Sequence, residues 1–260
     1  MTTGLPLHSP DTQQRLFRAP LIRVLCQARW QQLTKFDTKT VADGLAELVG
    51  DDYPFRDQQQ EVQFTIDQAG MKQQPGGIIY RFHSTDKLWT IALSDTFISL
   101  ETLFYEGHED FIDRFSGIMA SLSSVAIIPL LSRLGYRYTN RLDTEDSLSK
   151  LNDYFLPSVL GGLVQVQDSA RVVQTITETL LQDEDNFLAV RSAKLSPGAI
   201  IDPTLPATQG ESWIIDLDSY KEPISGITID SVGRETEALS DQASKYFFSL
   251  ITDKFMEDFQ

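Results

Sequence analysis

Apolar and polar residues alternate along much of the chain, and a period of two marks β-strands. Ile22, Val24, Cys26, Ala28 and Trp30 share one face of a strand expected over 20–30, leaving Arg23, Gln27 and Arg29 on the other. The same alternation predicts strands over 61–66, 77–84, 88–93, 96–102 and 130–142. In the later part of the chain it predicts strands over 163–167, 172–181, 186–194 and 212–219. Ser84-Thr85-Asp86-Lys87 reads as a hairpin turn.

Helical spacing appears in four places. Val41, Leu45 and Leu48 predict a helix over 39–49, capped by Asp37 or Thr38 and stopped by Gly50. Phe111, Phe115, Ile118, Met119 and Leu122 predict a second over 108–125, with Glu109, Asp110 and Asp113 at its dipole-positive start. A short helix is expected over 148–155. A long final one is expected over 234–259, with Leu239, Ala243, Phe247, Leu250 and Phe255 on its apolar side. Residues 196–210, with Pro197, Pro203 and Pro206, read as a long loop.

Strands gathered before long amphipathic helices define an α+β class with antiparallel sheet. Three segments are expected: a loose arm over 1–18, a first α+β half over 19–145, and an architecturally similar second half over 146–260, the halves packing as one unit. No residue-level repeat accompanies this similarity.

The strand over 130–142 changes the picture. By alternation Arg133, Arg137 and Arg141 share a face with Gly135 and Thr139, opposite Leu134, Tyr136, Tyr138 and Leu142. Guanidiniums stay charged and need an anion, water or a partner. Arg23 and Arg29 from the first strand, and Arg81 and His83 from the 77–84 strand, could extend that face. Three outcomes are open. The arginines pair with carboxylates of this chain, such as Asp216 and Asp218 on one face of the 212–219 strand. Alternatively they meet a partner protein, or they bind phosphate or carboxylate by bidentate hydrogen bonds.

Asp216 and Asp218 also suit a hard metal ion, with Asp230 as a third ligand, and this is the basis of a metal-dependent nuclease reading. His83 is a candidate general base, and a Ser84–His83–Asp86 set can be assembled on paper. The Gly-x-Ser-x-Gly elbow, the P-loop and the dinucleotide-binding fingerprint are all missing, and Pro75-Gly76-Gly77 reads as a turn. No catalytic residue and no cofactor follows from the sequence.

Charge narrows the partners. With 37 Asp+Glu against 22 Lys+Arg, the net charge of −15 makes general nucleic-acid binding a poor fit and a basic protein partner a better one. The balance is uneven along the chain: 1–150 carries 15 bases against 19 acids (−4), and 151–260 carries 7 against 18 (−11). The lone cysteine, Cys26, excludes an internal disulfide and a multi-cysteine metal site, and its apolar neighbours predict burial. Residues 1–19 lack the apolar core of a signal peptide, and no apolar run reaches the ~18 residues a membrane span needs. A cytoplasmic location is expected.

Several segments in order resemble one family. They are Ala19-Pro20-Leu21-Ile22-Arg23-Val24, Tyr53-Pro54-Phe55, Trp89-Thr90-Ile91-Ala92-Leu93, Leu100-Glu101-Thr102 with Tyr105, and Phe111 with Arg114. They continue with Leu134-Gly135-Tyr136-Arg137-Tyr138-Thr139-Asn140-Arg141, Leu156-Pro157, Leu160-Gly161, Trp213-Ile214-Ile215-Asp216-Leu217-Asp218 and Phe248-Ser249-Leu250-Ile251-Thr252-Asp253-Lys254. This set, spanning nearly the whole chain, resembles a sporadically distributed family of uncharacterised bacterial and archaeal proteins of about this length. That family usually has an acid where this chain has Arg23, so the resemblance gives that position no role. It brings no activity, and its patchy distribution resembles that of defence or toxin–antitoxin genes.

Three functions are therefore carried forward. The first is a non-catalytic interaction module, such as an antidote or accessory subunit whose basic partner is encoded nearby. The second is a sensor or enzyme binding a phosphorylated small molecule on the arginine face. The third is the metal-dependent nuclease.

Overall fold

Period-two runs form nine strands among the described residues: β1 Leu21–Arg29, β2 Phe55–Asp67, β3 Gly70–His83, β4 Trp89–Leu93, β5 Phe97–Thr102, β6 Arg133–Leu142, β7 Thr175–Asp183, β8 Asn186–Leu195 and β9 Ser212–Lys221. They hydrogen-bond in the order β2-β3-β4-β5-β1-β6-β9-β8-β7 as an antiparallel sheet. The structure is a computed structural model and describes residue 16 and residues 18–67, 70–165 and 171–260. The helices are α1 Thr38–Val49, α2 His108–Val125, α3 Glu145–Ser149, α4 Leu151–Tyr154, α5 Pro157–Leu160, α6 Val232–Leu250 and α7 Asp253–Phe259. The α+β class read from the pattern is the one observed. Most of the expected arm over 1–18 lies outside the described residues.

The chain forms two compact units. One comprises Met1–Val24, Tyr136–Tyr220 and Ala238–Gln260, and the other Leu25–Gly135 and Lys221–Glu237. The sharp charge difference between the first and second parts of the sequence does not carry over to these units. The first holds 11 Lys+Arg against 18 Asp+Glu (−7), and the second 11 against 19 (−8).

In the first unit Leu142, Tyr154, Phe155, Leu188, Val190, Trp213, Ile215, Leu217, Phe247 and Phe255 make one buried cluster. Phe255 sits at its aromatic centre, with ring centroids 5.5 Å from Tyr154, 5.3 Å from Phe155 and 5.8 Å from Phe247. Alternation sends Ile214, Asp216 and Asp218 of β9 to the opposite face. There Ala193, Leu195 and Ile214 form a smaller buried cluster, against which Ala199 and Ile201 pack from the 196–210 loop.

In the second unit α1 and α2 pack on each other, and Gly44 lets them approach: a Cβ there would stand 3.0 Å from Val125 Cγ1. Asp37 is the N-cap of α1 and accepts from Lys39 N at 3.2 Å. Trp30 is buried and donates its indole N–H to Asp95 O at 2.9 Å.

Four expectations differ. The turn read at Pro75-Gly76-Gly77 lies inside β3, where Pro75 is in register with Val62 of β2. The final helix is broken at Ile251 and Thr252, because the Thr252 hydroxyl caps α7 by accepting from Phe255 N at 3.4 Å. Thr252 also turns its own N–H to Tyr154 O at 3.0 Å, outside any helical ladder. The short helix over 148–155 is two pieces, α3 and α4. The strand expected over 163–167 is instead a 3₁₀ turn, Gly161–Gln165, and its last two positions lie outside the described residues. Gly161 has φ +54°, and a Cβ there would collide with Thr177 Oγ1, so only glycine fits.

Phe255→Ala empties the middle of the first unit's aromatic cluster. It is expected to cost about 3–5 kcal/mol, read from the urea unfolding midpoint. A loss below about 1 kcal/mol would contradict this packing account.

Candidate functional site

Arg137 projects from β6 onto the face opposite the aromatic core and meets carboxylates of its own chain. Its Nε donates to Asp216 Oδ1 at 2.8 Å and to Oδ2 at 3.0 Å, and its Nη2 donates to Asp216 Oδ2 at 2.7 Å. Thr139, two residues along the same face, donates its hydroxyl to Asp216 Oδ1 at 2.8 Å. A second carboxylate comes from the 196–210 loop. Asp202 Oδ2 lies 3.1 Å from Arg137 Nη2 and accepts from Arg23 Nη2 at 2.7 Å. Its other oxygen accepts from Thr204 N at 2.9 Å and Thr204 Oγ1 at 2.6 Å. Arg23 Nη1 also donates to Thr204 Oγ1 at 2.5 Å.

Two guanidiniums and two carboxylates thus bond one another in one nearly enclosed cluster, with Arg23 only 3% and Asp202 8% exposed. Burial works against the charge on Arg137, but the hydrogen bonds and charge of Asp216, with Asp202 and Asp218, outweigh it and raise the guanidinium's pKa further. Burial likewise opposes the Asp202 carboxylate. The Thr204 hydroxyl, Arg23 and the Thr204 amide outweigh it, holding that pKa far below the ordinary aspartate range.

The other predicted arginines have separate settings. Arg141 lies 3.4 Å from Asp143 and donates to Pro206 O at 3.1 Å. Arg133 lies 3.3 Å from Glu222, in the second unit, and its guanidinium crosses over Gly135. Arg29 is exposed, bonds Gln27 at 2.7 Å and stands over the Phe97 ring. Arg81 pairs in register with Asp57 and Ala92, and its buried Nε makes no hydrogen bond. Arg29, Arg81, His83 and Arg133 belong to the second unit, and Arg23, Arg137 and Arg141 to the first.

His83 does not join Ser84 and Asp86. Those two bond each other at 2.5 Å within the β3–β4 turn, where the Ser84 hydroxyl lowers the Asp86 pKa. His83 instead bridges strands, with Nε2 2.9 Å from Asp57 and Nδ1 3.0 Å from Thr90 Oγ1. The order carboxylate–imidazole–hydroxyl is that of a proton relay, but Asp57 is 60% exposed, so water competes with His83 for its oxygens.

Asp216 spends both oxygens on Arg137 and Thr139, and Asp230 belongs to the other unit. Among the described residues no group of three or more His, Cys, Asp or Glu is placed to hold a metal ion. Asp202 and Thr204 were not singled out from the sequence. The signal available was Asp202-Pro203-Thr204, where a carboxylate can bond the backbone two residues on and shape a turn.

Comparison of the chain with family models, with curated proteins and with solved structures returned no match.

Asp216→Asn leaves the half-buried Arg137 with one carboxylate fewer, Asp202 still 3.1 Å away, and is expected to cost about 1–3 kcal/mol in urea unfolding. Replacing both partners together, Arg137→Met with Asp216→Leu, is expected to cost much less, because no buried charge is stranded. Asp202 has a depressed folded-state pKa. Its stabilising contribution is therefore present above the ordinary value of 3.8 and is lost as pH falls from there toward the folded value. Unfolding measured between neutral pH and strong acid should show the difference between wild type and Asp202→Asn shrinking only at the acid end.

Proposed function

We propose that the protein is a non-catalytic interaction module of the cytoplasm that docks a basic partner protein, as an antidote or accessory subunit encoded beside its target does. The observation that carries this reading is an apolar surface in the second unit. Two connections lie side by side there, joined by the backbone pairing of Leu131 with Ile227, with N–H to O distances of 2.8 and 2.9 Å. From the first, Ile127 is 89% and Leu130 47% exposed; from the second, Ile224 is fully exposed. Leu130 lies directly on Gly226, against the connection that carries Ile224.

Large aliphatic side chains left in water are favourable to bury against a partner, at roughly 25 cal/mol per Å². The unit's charge of −8 favours a partner of opposite sign and speeds its approach. The buried thiol Cys26 suits a reducing compartment. Among the described residues no helix is long and apolar enough to cross a membrane.

Since folding leaves Ile127 and Ile224 in water, changing them tests docking without disturbing the core. The double substitution Ile127→Asp, Ile224→Asp should leave the melting temperature within a few degrees. It should weaken association with the protein encoded by the adjacent gene by about a hundredfold or more, about 2.7 kcal/mol at tenfold per 1.4 kcal/mol. Undiminished binding by that variant, or no association of wild type at any salt concentration, defeats the reading.

A further inference from the structure

We propose that β7 is a self-association edge: two copies of this chain join their β7 strands antiparallel, centred on Glu178, and continue the sheet from one copy into the other. This goes beyond the docking function, uses the other unit and does not rest on that reading.

The position of the strand comes first. β7 ends the strand order, and among the described residues it pairs only with β8. Its outer edge therefore offers backbone N–H and C=O groups to a strand laid beside it. Folded proteins commonly protect such an edge with lysine, proline or a bulge. β7 has none of these. Thr175–Asp183 contains no basic residue and no proline, and its pairs with β8 run from Thr175↔Lys194 to Asp183↔Asn186 without a register shift. β2, at the other end of the strand order, carries Arg56 and has a register shift between Gln60 and Val62.

The side chains select the occupant. Ile176, Glu178 and Leu180 share one face of β7. Ile176 is in register with Ala193 and Leu180 with Ala189, and these small neighbours leave the two aliphatic side chains 52% and 58% exposed. Glu178 lies between them and is held by its register partner Arg191 at 2.7 Å. A copy laid antiparallel about Glu178 sets Ile176 opposite Leu180 and Leu180 opposite Ile176. On the other face it sets Thr177 opposite Thr179. Aliphatic then meets aliphatic and threonine meets threonine, which are favourable cross-strand pairs. The two Glu178 carboxylates meet at the twofold axis, but each brings its own Arg191, which offsets their repulsion. A two-residue slip in either direction sets Glu178 opposite Leu180 or opposite Ile176. The edge is thus self-complementary in one register, as an isologous interface requires.

The strand has 9 residues, which at about 3.3 Å each give ~30 Å of paired edge. A single edge buries less than the ~800 Å² per partner of a standard interface, so the dimer is reversible rather than permanent. The first unit's charge of −7 opposes a copy of itself, and salt screens that repulsion. Self-association therefore strengthens as salt rises to about 0.15 M, whereas docking of a basic partner weakens.

Sedimentation of the full chain reads the outcome. Wild type should be largely dimeric at about 200 µM and monomeric at about 1 µM. Ile176→Lys with Leu180→Lys should stay monomeric at both concentrations and melt within a few degrees of wild type, since both side chains are exposed. Cysteines read the register. A mixture of Ile176→Cys and Leu180→Cys chains should cross-link on mild oxidation about fivefold or more faster than either variant alone, because a disulfide needs Cα atoms within ~7 Å. Cys26 is buried and takes no part. Wild type that is monomeric at about 200 µM overturns the proposal, as does a dimer that survives the lysine variant. Cross-linking no faster in the mixture than in the separate variants overturns it too. If the lysine variant does not fold, the cysteine chains decide.

Discussion

The requirement that a buried guanidinium be matched organises one face of the first unit. Arg137 points away from the aromatic core and out of easy reach of water, and a lone charge there would cost several kcal/mol. Asp216 meets it across the neighbouring strand with two parallel hydrogen bonds. Arg23, almost fully buried on β1, takes a carboxylate from the 196–210 loop: Asp202 meets it at 2.7 Å, and the loop lays Ala199 and Ile201 on Ala193, Leu195 and Ile214. A segment without helix or strand acquires a defined position because ion pairing and a small apolar cluster both hold it.

Much of this was legible in the sequence, and the illegible part has a physical pattern. Alternation places Arg133, Arg137 and Arg141 together, and it places Asp216 and Asp218 on one face of β9, because a strand has only two faces. The pairing of Arg137 with Asp216 was one of the outcomes left open by that reading. Asp202 follows no period. It lies 179 positions from Arg23 in sequence, and a loop carboxylate announces its partner only in three dimensions. The same holds for the break between α6 and α7. Apolar helical spacing runs through Ile251, whereas the Thr252 hydroxyl and its bond to the Tyr154 carbonyl interrupt the ladder. The charge pattern misled in another way. A strongly acidic second part of the sequence becomes two units of nearly equal charge, because the units do not follow chain order. Residues 1–24 and 136–150 join the later part of the chain in one unit, and 221–237 join the earlier part in the other.

The two surfaces of interest satisfy their physics differently, and this separates their roles. The arginine cluster is complete within the chain: each carboxylate oxygen of Asp216 and Asp202 has a donor. The Ile127, Leu130 and Ile224 surface is incomplete, since three aliphatic side chains remain in water although Leu131 and Ile227 join the two connections that carry them by two hydrogen bonds. The first is held by pairing within the chain; the second leaves apolar area in water.

Stability is a weak explanation for the arginine cluster. Buried ion pairs of this kind are often replaceable by apolar residues of similar volume with no loss, since desolvation consumes most of the Coulombic gain. What such a cluster does well is select one arrangement against others, because its charge-assisted hydrogen bonds are satisfied together only in one geometry. The 196–210 loop is held on the sheet by this pairing together with the packing of Ala199 and Ile201 on Ala193, Leu195 and Ile214 and the Arg141 bond to Pro206 O.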